Sequence, residues 1–277
     1  MRWIVKRWRQ RRAAIVPVIR LSGVIGGRAL GGGALTARST QPLIERAFAS
    51  PKVAAVGLLI NSPGGAPAQT SLIACAIRRQ ADENKKPVIA FVEDVAASGG
   101  YWLACAADEI FIDESSIVGS IGVISAGFGF TEAMKKLGVE RRLYTAGSRK
   151  SMLDPFSNSS EDDIARLKEI QVTIHGSFKD WVIRRRGSKI KDPDNTFDGR
   201  IAVGQNALDM GLADGFGHAH DVLAKRFGDD VKIRLIEPQK SWMPWRQSVR
   251  SDELIDGAID RLATRLDAEF HWGRFGL

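Results

Sequence analysis

Short apolar runs alternate with amphipathic stretches along most of the chain. VAAVGLLI (53–60) and PVIAFVE (87–93) are almost continuously apolar, as strands buried on both faces require. AIVPVIRLSGVI (14–25) reads as a further β-run ending in a glycine-rich stretch, 26–33, and EIFID (109–113), SIVGSIGVIS (116–125), VERRLYTA (139–146) and VKIRLIE (231–237) complete the predicted strands. Helical periodicity falls on 40–50, 69–84, 98–107, 131–138 and 159–186, the last capped by Ser159 and Ser160 with Glu161, Asp162 and Asp163 in its first turn. VGQNALDMGLADGFG (203–217) reads as helix, turn and short strand. Strands alternating with helices predict an α/β fold with a layered βαβ core and a largely parallel sheet.

Composition refines the boundaries. The chain has 277 residues, 44% of them hydrophobic and 26% charged, within the range of a folded globular protein. The +8 net charge is uneven: the first twelve residues hold six basic side chains and no acidic one. Residues 1–13 therefore read as a basic arm. Its Trp3, Ile4, Val5 and Trp8 fit an interfacial helix at least as well as a nucleic-acid contact, and a solvated terminus is the plain alternative. No apolar run reaches the length of about 18 residues needed to span a bilayer, and IVPVI (15–19) is too short and too interrupted for a secretory leader. After the core, 14–238, the composition shifts toward aromatic and basic residues, so 239–277 reads as a C-terminal extension containing an amphipathic helix, 252–268. Cys75 and Cys105 both fall in segments read as buried helix, and no metal-ligand spacing is present.

Two strand ends carry candidate chemistry. Asn61-Ser62-Pro63-Gly64-Gly65 follows one buried strand, and Ala96-Ala97-Ser98-Gly99-Gly100 follows another. Such turns expose a serine and aim backbone N–H groups outward, where they suit a developing oxyanion. Gly65, or else Gly64, and Gly99 are the candidates. Neither turn has a phosphate-loop spacing. A serine nucleophile needs a base, and none of His175, His218, His220 and His271 sits in a glycine-turn context. A desolvated lysine serves equally, because burial lowers its pKa from about 10.4 toward the working pH. Lys150 lies in a loop, AGSRKSMLDPF, whereas Lys135 and Lys136 sit on a short amphipathic helix; spacing by itself does not select among them.

Five segments in order, NSPGG (61–65), AASGGYWLACAADEIF (96–111), GSIGVI (119–124), YTAGSRKSMLDPF (144–156) and GRIAVGQNALDMGLADGFG (199–217), resemble the signal peptide peptidase A family of serine proteases in its half-length form. The resemblance covers roughly residues 14–225. It implies Ser98 as nucleophile, Lys150 as general base, Ser120 as the serine that orients the lysine, and Gly65 and Gly99 as the oxyanion region. It further implies a core shared with the Clp protease and crotonases, a ring-like homo-oligomer in which Lys150 reaches the serine of its own or of a neighbouring subunit, and cleavage of remnant signal peptides or other apolar segments near the membrane. No cofactor, metal or nucleic acid is expected. The compartment implied is bacterial and peripheral to the inner membrane, with a cytoplasmic location as the alternative.

The chain departs from the family in two ways. Many members carry an N-terminal transmembrane anchor where this chain has the basic, Trp-bearing arm. The family's GxYK context is here Gly147-Ser148-Arg149-Lys150. Three other readings compete. A crotonase-like acyl-CoA enzyme usually has glycine at the position of Ser98. A Ser-His-Asp protease of the Clp type carries a histidine a short way after its serine, and SSIVGSIGVIS has none. A catalytically silent scaffold would have no use for the full residue set.

Overall fold

The computed structural model describes residues 13–26, 35–147 and 149–237, together with positions 272 and 275. The basic arm, the C-terminal extension and most of the glycine-rich stretch 26–33 lie outside the described residues.

Eight strands form one sheet: β1 (Ile15–Ser22), β2 (Val56–Ser62), β3 (Val88–Ala97), β4 (Glu109–Ile112), β5 (Ile117–Gly119), β6 (Ile201–Val203), β7 (Gly215–Phe216) and β8 (Lys232–Ile236). The main path runs β6-β5-β3-β2-β1-β8. The long β3 forks: Ile89–Phe91 pair with β4, and Val95–Ala97 pair with β5. Every pairing is parallel except β5 with β6. The chain is thus a mixed α/β fold with a largely parallel sheet, as the alternation predicts.

The helices are α1 (Ala37–Phe48), α2 (Pro67–Asn84), α3 (Gly99–Ala104), α4 (Thr131–Leu137), α5 (Glu161–Arg186), α6 (Pro193–Thr196), α7 (Gly204–Asp209) and α8 (Ala219–Phe227). Residues Ile19, Leu21, Val88, Ala90 and Val92 face a large core shared with α1, α2, α3 and α5. Their neighbours Val16, Val18, Ile89 and Phe91 face a smaller one closed by Leu223 of α8. Apolar side chains on both faces explain why these strands lack polar alternation. Each fully buried Leu, Ile or Phe contributes about 1.5–3 kcal/mol, so this double-faced sheet is the rigid platform for the turns at its carboxyl end.

Local signals set the helix ends. Thr36 caps α1 through the Ser39 N–H at 3.2 Å, and Ser160 caps α5 through the Asp163 N–H at 3.1 Å. Acidic residues open α5, and Arg184, Arg185 and Arg186 close it, each end matched to the helix dipole.

The structure corrects several expectations. Residues 139–146 form no strand: all eight are exposed and pair with no strand among the described residues. Only Ile117–Gly119 of the run 116–125 is strand. Cys75 lies on α2 as expected but on its exposed side, whereas Cys105 is buried. Helix α8 is an addition to the predicted elements. Its signal is the spacing of Ala219, Val222, Leu223 and Phe227, all packed in the smaller core.

Candidate active site

The turn after β3 holds Ser98 in an unusual conformation. Its φ is +52° and its ψ −120°, it stands at the N-cap of α3, and its hydroxyl caps nothing. Two backbone bonds fix it there. Its N–H donates to the Gly119 carbonyl at 2.8 Å, and its carbonyl accepts from the Trp102 N–H at 3.0 Å. The side chain is half-buried and, among the described residues, has no hydrogen-bond partner. A non-glycine residue kept in a sparsely populated backbone region is held by its surroundings, and such residues cluster at reactive sites.

The turn after β2 packs directly against this one. A side chain at Gly64 (φ +110°) would stand 2.9 Å from both the Gly99 nitrogen and the Ser98 Cβ, so only glycine lets the two turns touch. Gly65 forms a parallel bridge with Ile25, in which Ile25 N–H donates to Gly64 O and Ala66 N–H donates to Ile25 O. That pattern turns the N–H of Gly65 itself away from Ile25. Among the described residues neither the Gly65 nor the Gly99 N–H meets an acceptor. Ser62, fully buried, braces the loop: its hydroxyl donates to Gly23 O at 2.7 Å and accepts from Gly64 N–H at 3.3 Å.

Ser120 follows the carbonyl that holds Ser98. It is 7% exposed, has φ +51°, and donates its N–H to Arg200 O at 2.7 Å. Its hydroxyl has no partner among the described residues. The structure thus brings Ser98, Ser120, Gly65 and Gly99 together.

Lys150 is exposed and is not bonded to them among the described residues. The chain leaves the core after Ile121, and nearly everything from Ile124 to Ser160 is exposed, Lys150 included. The backbone at Lys150 makes a turn through Gly147 O at 3.2 Å, and no hydrogen bond or ion pair joins its amine to Ser98 or Ser120 among the described residues. Arg149 beside it pairs with Asp162 at 3.1 Å on the surface rather than turning toward the lysine. Asp154 organises this loop: it pairs with Arg141 and accepts from the Phe156 N–H at 3.2 Å and the Ser157 hydroxyl at 3.0 Å. The same segment leaves Ile124, Phe128, Leu137, Val139 and Tyr144 mostly uncovered.

Sequence reasoning missed the anchors of α3. Trp181 donates from its indole to Trp102 O at 3.0 Å, and Arg185 donates to Cys105 O at 2.9 Å and Ala107 O at 3.1 Å. Tyr101 donates to Leu212 O at 2.9 Å. Burial holds the Tyr101 hydroxyl well above its usual pKa and pushes the Cys105 thiol up to about 12. Below them, buried Arg186 donates to Asp214 at 2.6 Å and to Gly211 O. Burial by itself would raise the Asp214 pKa, but its hydrogen bonds from Arg186 and Lys189 hold it below the usual carboxylate range. No cluster of metal-ligating side chains occurs among the described residues, and no described helix is long and apolar enough to cross a membrane.

Comparison with known proteins adds four findings. The profile of Peptidase family S49 matches residues 80–232. A Brucella abortus protein named Na(+)/H(+) antiporter NhaA is 46% identical over 272 residues, 95% of this chain but 37% of its own length. That antiporter name belongs to a chain most of which lies outside the match. The chloroplastic serine protease SPPA of Arabidopsis thaliana is 29% identical over 86% of this chain and 34% of its own. Among solved structures, a mutant of the 1510-N membrane-bound stomatin-specific protease, in complex with a substrate peptide, superposes with a TM-score of 0.51. It is 14% identical and covers 90% of this chain and 99% of its own, a likeness of fold alone. The chain spans little more than a third of the length of the Brucella and Arabidopsis relatives.

Proposed function

Because this chain belongs to peptidase family S49, we propose that it is a serine endopeptidase whose nucleophile is Ser98 and whose general base is Lys150. The observation that carries this reading is the strained Ser98 backbone, with the N–H groups of Gly65 and Gly99 unclaimed beside it. Ser98 Oγ attacks the scissile carbonyl. As the C–O bond forms, an uncharged Lys150 amine takes the hydroxyl proton, and the two N–H groups hold the oxyanion. The C–N bond then breaks, and the lysine delivers its proton to the departing amine. Water, deprotonated by the same amine, cleaves the acyl-enzyme and restores the Ser98 hydroxyl. Ser120 accepts a hydrogen bond from the lysine and orients it.

The dyad forms between subunits in this proposal. Lys150 sits on an exposed segment whose apolar side chains lack cover, as an element completed by a second copy in a ring would be. The substrates proposed are peptides with apolar segments, remnant signal peptides among them, met at the periphery of a bacterial inner membrane.

Hydrolysis of an apolar peptide by wild type, Ser98→Ala and Lys150→Ala tests this. Both variants should lose activity separately, and mixing them after dissociation should recover part of it. A Lys150→Ala protein that retains the wild-type rate overturns the dyad. Inactive variants that stay inactive when mixed overturn pairing between subunits.

A further inference from the structure

The excursion that carries Lys150 has a side-chain hydrogen bond at its neck. His175, half-buried on α5, holds the Ile121 carbonyl through Nε2 at 3.0 Å. Facing a carbonyl, that nitrogen must carry the proton. Ile121 is fully buried and is the last core residue before the exposed segment begins. It also directly follows Ser120, whose left-handed backbone is otherwise held by Ser120 N–H to Arg200 O at 2.7 Å and Gly122 N–H to Ser120 O at 2.9 Å. The return leg of the excursion is α5 itself, anchored farther along by Trp181 to the Trp102 carbonyl and by Arg185 to the Cys105 carbonyl. This hydrogen bond ties the outgoing leg, next to Ser120, to the returning leg, where Ile121 also packs in one core cluster with Phe178 and Val182 of α5.

We propose that His175 is a positioning residue: through Ile121 it sets the place of Ser120 and the root of the segment bearing Lys150. It does not touch substrate, and it moves no proton in the reaction. Loss of its donor leaves the Ile121 carbonyl without a partner in a buried place and frees the neck to shift. Misplacement of reacting groups by about 1 Å can cost on the order of 100-fold in rate. The orientation of the lysine is used only as bonds are made, so the effect should appear in kcat rather than KM. This inference rests on the proposed Ser98–Lys150 dyad.

The test uses the full chain and apolar-peptide hydrolysis, with kcat and KM measured separately. His175→Leu removes the donor. His175→Gln places an amide N–H at similar reach. The expected result is a kcat at least about 10-fold lower in the Leu variant with KM within about twofold, and a Gln variant within about threefold of wild type. Should His175→Leu fail to fold, His175→Asn, polar but too short to reach, replaces it with the same expectation. Equal losses in the Gln and donor-less variants, or a wild-type kcat in the latter, overturn the inference. Lys150→Ala in the otherwise native chain separates the two readings. If it is active, the dyad itself falls. If it is inactive while the donor-less His175 variant is unimpaired, only the role of His175 falls.

Discussion

Replacing Ser98 by glycine should stabilise the protein while abolishing its proposed chemistry. A non-glycine residue at φ +52°, ψ −120° is expected to carry on the order of 1–3 kcal/mol of backbone strain. Glycine adopts this region freely but returns about 0.5–1 kcal/mol through the greater freedom of the unfolded chain. The hydroxyl adds nothing to the balance, since it makes no hydrogen bond among the described residues. The net gain is about 1 kcal/mol, within a range of about 0 to 2.5, and in a domain of this size each kcal/mol raises Tm by about 2–4 °C. Ser98→Ala is the control, because it removes the same hydroxyl and keeps the strain; its Tm should stay close to wild type. The assay is thermal unfolding of the three proteins at one protein concentration, because association shifts apparent stability. A Ser98→Gly protein that melts below Ser98→Ala would refute the argument: position 98 would then hold no strain.

Two further predictions follow from the chemistry around α3. In the folded protein a maleimide should modify Cys75, which is exposed, and spare Cys105, which is buried with its thiol pKa pushed up to about 12; both should react after unfolding, as counted by intact mass. Asp214→Asn should destabilise the fold by about 3 kcal/mol, since it leaves the buried Arg186 guanidinium without its counter-charge. The folded pKa of Asp214 is lowered, so its contribution is present above the unfolded value of about 3.9 and lost as pH falls through the folded value. Acid titration of stability should accordingly be shallower in the variant, and an unchanged acid limb would contradict the assignment.

The parts of the fold legible in the sequence are those with a local cause. The runs 53–60 and 87–93 announce strands because both faces of β2 and β3 meet a core. The start of α5 is legible because Ser160 and the acids after it act within one turn. The two glycine-rich turns are legible as tight connections after buried strands, and Gly64 shows their close approach at 2.9 Å; the role of Ser98 comes from the resemblance alone. The supports of the site are not legible. His175 to Ile121, Trp181 to Trp102 and Arg185 to Cys105 join residues 54, 79 and 80 positions apart. Each is a side chain meeting a backbone carbonyl, and a carbonyl leaves no mark on residue identity.

The absence of a strand at 139–146 has a different origin. Val139, Leu143 and Tyr144 give that segment the apolar content of a strand, yet each is about half exposed or more. Hydrophobic pattern records that a residue is to be covered, not which molecule covers it. Within one chain, pairing into the sheet is the simplest use for such residues, and the pattern therefore points there. Under the proposed assembly the cover is a second copy, and Lys150, a few residues on, is exposed and unbonded to Ser98 for the same reason. The apolar surface and the exposed lysine then stand or fall together: a monomer that cleaves peptide at the rate of the assembled protein would leave both without a cause.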